Sequence, residues 1–244
     1  MANRPMSDAP SISIILPTWC EEALIGSAVR EALAIGAEVI VADGGSTDGT
    51  AAAARTAGAR VVTAPRGRGP QLHAGACSAR GDILLFLHAD ARLPPGARGA
   101  IHEALADASV LGGNFHLEFV PASFAARLFT WANDARRRWL RIYYGDSAIF
   151  VRRTAYESLG GFRALPIFED YELVRRLERA GRTVYVRHVT VQASARRFER
   201  TPVRSLAIWT MLQILYSVLG VSPHQLARLY GMTSRRAMRP GDLR

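Results

Sequence analysis

The sequence predicts an α/β fold built on a mostly parallel central sheet flanked by helices, and two observations carry that expectation. Short β-branched or apolar runs, ISIILP (12–17), EVIVAD (38–43), ARVVTAP (59–65) and DILLFLHAD (82–90), alternate with Ala-rich helical stretches at intervals of roughly 25 residues, as βαβ units do. In the fourth run Leu84, Leu85, Phe86 and Leu87 are apolar without alternation, which fits a strand covered on both faces. Ligands of such sheets bind at the carboxyl ends of the strands. Those ends carry Pro17 and Thr18, then Asp43, then Arg66 to Arg68, then His88 and Asp90, so polar groups from four strands converge on one edge.

Along the chain, Glu21 and Glu22 follow the first strand as first-turn acids favoured by a helix dipole, and Thr47 and Asp48 cap the helix after the second. After residue 110 the segments lengthen and mix: LGGNFHLEFV, an aromatic and Arg-rich helix over about 122–141, GDSAIFVRR, and a helix starting near Phe168. This half reads as α+β and carries the second substrate. TVYVRHVTV closes the sheet, and 203–231 are helical, with Ser222 and Pro223 opening the final helix. The expected organisation is a main domain over 11–200, a C-terminal helical extension over 201–231 and a disordered tail over 232–244.

The 244 residues, 49% hydrophobic and 21% charged, are ordinary for one catalytic-sized domain. The N-terminal MANRPMSDAPS lacks an apolar h-region, and Cys20 and Cys77 form neither a CxxC nor a disulfide framework, so the expected location is cytoplasmic. The net charge of +10 comes entirely from arginine, spread along an Ala-rich chain. That pattern resembles the coding bias of a GC-rich genome, so the charge is discounted as a sign of nucleic acid in favour of a solvated surface together with an anionic small ligand or lipid headgroups. The absence of lysine excludes a Walker P-loop and Schiff-base chemistry, both of which use that amine.

In PIFEDYELVRRL helical geometry separates two acids. Asp170, Leu173, Val174 and Leu177 share one stripe, whereas Glu169 shares a face with Glu172 and Arg176 that looks away from a cavity. Asp170 is therefore expected to point inward, where a carboxylate in reach of a bound hydroxyl suits a general base; a helix N-cap is the competing reading.

PTWCEE, VADGGSTDGT, LHAD and FEDYELVRRL, in that order, resemble the PTxNEE, nucleotide-loop, DxD and ED motifs of family-two glycosyltransferases of the GT-A fold. RGRGPQLHAGA, GDSAIFVRR and SARRFER followed by LGVSPHQLARLY resemble a narrower bacterial subgroup associated with arsenosugar biosynthesis, and the resemblance spans about 11–231. It implies an inverting transfer from a nucleoside-diphosphate sugar to an acceptor hydroxyl, with the Glu169-Asp170 pair as the catalytic motif. Three positions depart from the pattern: Cys20 and His73 replace the usual Asn, and His88 takes the first acidic place of DxD. Asp90 is then the lone carboxylate for Mg²⁺ or Mn²⁺, ions that complete their shells with substrate phosphates and water. His88 is implied on the ribose or a metal-bound water. The competing readings are a turn-capping Asp90 and a core histidine.

The resemblance further places Pro17, Thr18, Glu21 and Asp43 on the nucleotide, although Asp43 also suits an Asx-turn into Gly44 and Gly45. Arg66 and Arg68 in a Gly-rich loop, with Arg196 and Arg197, are implied on the diphosphate, or else are solvated surface arginines. Asn114, Gly145 and Asp146 fall to the acceptor side. A sugar-phosphate nucleotidyltransferase would need a Gly-rich loop with a catalytic basic residue where PTWCEE stands. A non-catalytic nucleotide-sugar or membrane-docking module would fit the degraded DxD but not the intact acidic pair. The uncharged run 205–221 places Thr210, Gln213 and Ser217 on one polar face. It packs on the domain or a second subunit, docks peripherally on a membrane, or spans one.

Overall fold

The computed structural model describes residues 9–35, 37–195 and 201–235. Its strands are β1 (Ile12–Thr18), β2 (Glu38–Asp43), β3 (Arg60–Thr63), β4 (Ile83–Phe86), β5 (Ala91–Arg92), β6 (Val110–Val120), β7 (Ile149–Arg152) and β8 (Arg182–Ser194). Among the described residues they form one sheet in the order β3-β2-β1-β4-β7-β6-β8-β5. The first four positions are parallel, as are β6 and β8, while β7 runs antiparallel to both β4 and β6 and β5 to β8. The fold is therefore α/β, with a mostly parallel sheet.

The helices are α1 (Glu22–Ala34), α2 (Thr50–Thr56), α3 (Arg68–Ser78), α4 (Ala97–Ala104), α5 (Phe124–Leu140), α6 (Arg153–Ser158), α7 (Glu169–Ala180), α8 (Pro202–Ser217) and α9 (Pro223–Arg235). They cover both faces of the sheet. One core layer unites Ile14, Leu16, Leu85 and Phe115 with α1 and α4, and the other unites Ile15, Ile40, Leu84 and Phe86 with α3 and α7. The unbroken apolar run of β4 and the near-continuous one of β1 follow from this two-sided burial. Close approach of α3 needs Gly75, since a Cβ there would meet Ile15 Cγ2 at 2.4 Å.

Three expectations are corrected. The fourth run is strand only to Phe86; beyond it Leu87 N still donates to Ile15 O at 3.1 Å, and the chain then crosses toward β5, which pairs with β8. His88 and Asp90 thus lie on a crossing segment over the sheet and not in a strand. β8 is next to last, because the two-residue β5 forms the outer edge. The final helix includes 232–235, assigned to the tail by sequence; 236–244, and the proposed domain boundary at 200, lie outside the described residues. Ser222 does open α9, its Oγ accepting from Gln225 N at 3.3 Å. α8 and α9 pack on α7 through Phe168, Tyr171, Leu212 and Leu226. No helix among the described residues is long and apolar enough to cross a membrane, which removes the spanning reading for 205–221.

Candidate active site

Asp170 stands in the first turn of α7, 5% exposed, and both of its oxygens are held by backbone. Oδ2 accepts from Gly145 N at 2.8 Å and Oδ1 from Tyr171 N at 2.7 Å. Gly145 opens a 3₁₀ turn, Gly145–Ser147, and fills the gap between two functional groups: a Cβ there would lie 3.0 Å from His88 Nε2 and 3.4 Å from Asp170 Oδ2. The crossing segment after β4 and the start of α7 therefore bring His88 and Asp170 to opposite sides of one glycine. A cavity opens at this point, lined by Arg68, His88, Asp90, Asp146 and Asp170. The rings of Phe119, Phe129, Tyr144, Phe168, Trp209 and Tyr230 complete its walls together with Asn133 and Arg136. The structure thus brings Asp170, His88, Asp90, Asp146 and Gly145 together around one cavity.

Glu169 is not on a solvated face. It is 2% exposed, and its carboxylate takes Arg68 Nε at 2.6 Å. Burial, reinforced by the adjacent Asp170 charge and opposed by Arg68, pushes its pKa from 4.5 up to about 7. The rest of that face is buried by reciprocal charge. Glu172 meets Arg163 at 3.2 Å and also pairs with Arg176, whose guanidinium reaches Gly161 O at 2.7 Å and so ties α7 to the loop after α6. Arg68 is likewise not in a loop with Arg66: it is the first residue of α3. Gly69 lets α3 come close enough for the pair, since a Cβ there would meet Arg163 O at 2.3 Å and Glu169 Cβ at 3.3 Å.

A second group of expected residues gathers at the ends of β1 and β2. Asp43 is buried and accepts from Ser46 N at 3.1 Å and from the Ser46 hydroxyl, so the Asx-type turn is formed. The Thr18 hydroxyl is buried with no hydrogen-bond partner among the described residues, an unsatisfied group of the kind a bound ligand completes. Arg66 stacks its guanidinium 3.4 Å from the centre of the Trp19 ring. Glu21 N donates to Thr50 Oγ1 at 2.8 Å, and Pro17 pairs with Ala42 across the strands. Gln71, which the sequence did not single out, fastens these ends. Its Nε2 donates to Thr18 O at 2.6 Å and Ala42 O at 2.9 Å, and its Oε1 accepts from Gly67 N at 3.1 Å.

Asn114 is corrected from the acceptor side to the scaffold. It is 1% exposed and does not line the main cavity; its amide accepts from Arg137 Nε at 2.7 Å and donates to Ser147 Oγ at 3.1 Å, steadying the 145–147 turn from behind. Arg196 and Arg197 lie outside the described residues. No three His, Cys, Asp or Glu side chains gather into a cation cage among the described residues. A cation beside Asp90 would take most of its ligands from substrate and water, as Mg²⁺ and Mn²⁺ do.

The family model for glycosyl transferase family 2 matches residues 13–160, which include β1 from Ser13 onward, Asp43, Asp90 and the 145–147 turn. The chain belongs to glycosyl transferase family 2. It is 37% identical over 87 residues to an uncharacterised glycosyltransferase of Mycobacterium tuberculosis, a match covering 35% of this chain and 39% of that one. It is also 39% identical over 93 residues to glucosyl-3-phosphoglycerate synthase of Mycolicibacterium paratuberculosis, covering 33% of this chain and 28% of the relative. The crystal structure of the M. tuberculosis synthase with Mn²⁺ and UDP-glucose superposes with a TM-score of 0.60 at 21% identity, over 87% of this chain and 80% of that one. The same enzyme with Mg²⁺ and UDP gives 0.53 at 22% identity, over 76% and 70%. The fold is that of these GT-A enzymes. Beyond the family motifs, the cavity takes Arg136 from α5, Trp209 from α8 and Tyr230 from α9, which sequence reasoning missed. The available signal was the clustering of aromatic residues over 124–144 and 209–230.

Proposed function

We propose that the protein is an inverting glycosyltransferase that moves a sugar from a nucleoside-diphosphate donor to an acceptor hydroxyl, with Asp170 as general base. The carrying observation is Asp170 itself: a buried carboxylate fixed by two backbone N–H groups on the wall of a cavity that also presents His88 and Asp90. Held in this way, it can accept the acceptor's proton without reorganising. Attack then proceeds from the face opposite the departing diphosphate, and a single displacement inverts the anomeric centre.

The nucleotide would lie over the ends of β1 and β2, where the unsatisfied Thr18 hydroxyl and the Asp43–Ser46 turn stand and Arg66 is presented on Trp19. Asp90 would hold Mg²⁺ or Mn²⁺, and the cation's contribution when bound is to neutralise charge on the leaving diphosphate. Support comes from the synthase neighbours, solved with Mn²⁺, UDP-glucose and phosphoglyceric acid. Arg68, committed to Glu169, would act on the diphosphate only by sharing its charge. GDSAIFVRR and SARRFER keep the arsenosugar-associated subgroup as the finer reading of the family, tested by the acceptor.

A thermal-shift panel of UDP-, GDP- and dTDP-sugars with Mn²⁺ tests the donor site. At a hundredfold excess over Kd, linkage stabilises the protein by about 2.7 kcal/mol. The matching donor should give that shift with metal, and Asp90→Ala or EDTA should abolish it. A shift that survives either treatment contradicts the metal assignment.

A further inference from the structure

α5 is apolar on two sides. Ala125, Ala126, Phe129 and Ala132 are buried, while Phe124, Arg127, Leu128, Trp131, Arg138 and Trp139 form a second stripe at helical spacing on the opposite side. On that stripe Phe124 is 72%, Trp131 66% and Trp139 80% exposed. Its neighbour α8 is turned against the usual pattern. Gln213 and Ser217 face inward, Gln213 accepting from the Tyr144 hydroxyl and Ser217 donating to Tyr171 Oη at 3.2 Å, while Thr210 is exposed. One line of its aliphatics faces out: Val203, Ala207, Met211, Ile214 and Val218 recur every three or four residues on the exposed side, with Val218 74% exposed, while Leu212 is buried on the opposite side.

Two packed helices that both turn apolar side chains outward form a surface that needs a cover. Its charge selects the cover. Arg127, Arg138, Arg141 and Arg204 are exposed in or beside the stripes; Arg138 lies 3.5 Å from Asp134 and Arg141 3.6 Å from Glu178, so two of the four are partly offset, the surface stays net positive through Arg127 and Arg204, and the chain carries +10 overall. A second copy docked face to face by a twofold axis would set these arginines against like charge. An anionic lipid surface instead supplies phosphates to the guanidiniums and an interfacial layer to the Trp rings.

We propose that the outward faces of α5 and α8 dock the protein peripherally on anionic membrane. This does not depend on the transfer reaction, but the same two helices line the catalytic cavity with Phe129, Arg136 and Trp209, so docking would hold that cavity beside the lipid surface.

Flotation with phosphatidylglycerol/phosphatidylethanolamine vesicles, set against phosphatidylcholine vesicles, tests the proposal. The wild type should co-float with the anionic vesicles at low salt and less at high salt. Trp131→Glu combined with Trp139→Glu should cut partitioning by more than about tenfold, and Ile214→Glu should also weaken it. These side chains are exposed, so unchanged far-UV circular dichroism and melting temperature establish that the variants fold. A wild type that stays at the bottom of the gradient, or variants that float undiminished, overturn the proposal. So does a wild-type dimer in sedimentation velocity that the Trp substitutions dissociate, which would identify the cover as a second copy.

Discussion

Gly145 shows how tightly the site is fitted at the scale of single residues. An alanine Cβ there falls 3.0 Å from His88 Nε2 and 3.4 Å from Asp170 Oδ2, so the imidazole must give way by a few tenths of an ångström. Gly145→Ala should leave melting nearly unchanged and lower turnover on the order of tenfold, because small misplacements of reacting groups weigh heavily on rate. An unaltered rate would show that the gap between His88 and Asp170 is not used. Glu169 gives a second test. Its folded pKa lies near 7, above the ordinary 4.5, so the folded state holds the proton more tightly than the unfolded chain. Its contribution to stability is fully present below about 4.5 and is lost as pH rises through about 7. Urea midpoints of the wild type relative to Glu169→Gln should therefore fall across that window, and a constant difference would contradict the burial. Helical spacing was enough to turn Asp170 inward. It misplaced Glu169 because a wheel describes one helix, while Glu169 is buried by the approach of α3 at Gly69 and by Arg68.

At the scale of elements, α7 starts from a strained residue. Phe168 has φ of 61°, a conformation costing a non-glycine residue roughly 1–2 kcal/mol. Aromatic packing offsets it: the Phe168 ring stacks on Tyr216 with centroids 5.2 Å apart and meets Trp209 edge-on at 6.3 Å. The C-terminal helices thus help set where Asp170 stands. Phe168→Ala keeps the backbone conformation and loses the packing, so a loss of about 3 kcal/mol in denaturant unfolding is expected, with reduced turnover. A loss below about 1 kcal/mol would mean that α8 does not hold the turn. No sequence signal marks such a residue, since left-handed positions are recognised by Gly or Asn. The strands of the first half were legible because β1, β2 and β4 are covered on both faces and read as largely apolar runs. The limit of β4 was not, because Leu87 stays buried and bonded to β1 after the sheet pairing has ended.

Across the whole molecule, the parallel half of the sheet carries the Thr18–Asp43 end and the mixed half carries the cavity, and the crossing segment with His88 and Asp90 joins them. Family motifs made the first region and the acidic residues of the second legible. The aromatic wall was not, because Trp209 and Tyr230 reach the cavity only through the packing of α8 and α9 on α7. The central claim is that this assembly exists to present Asp170 as a base, and the most direct measurement is turnover of Asp170→Asn alongside donor titration. Product formation with the true acceptor is the readout, with slow donor hydrolysis as the surrogate until that acceptor is identified. The amide keeps the shape and a hydrogen-bonding group but cannot take a proton, so donor affinity should persist while turnover falls by roughly 10² to 10⁴. An Asp170→Asn enzyme that turns over at the wild-type rate would contradict the account.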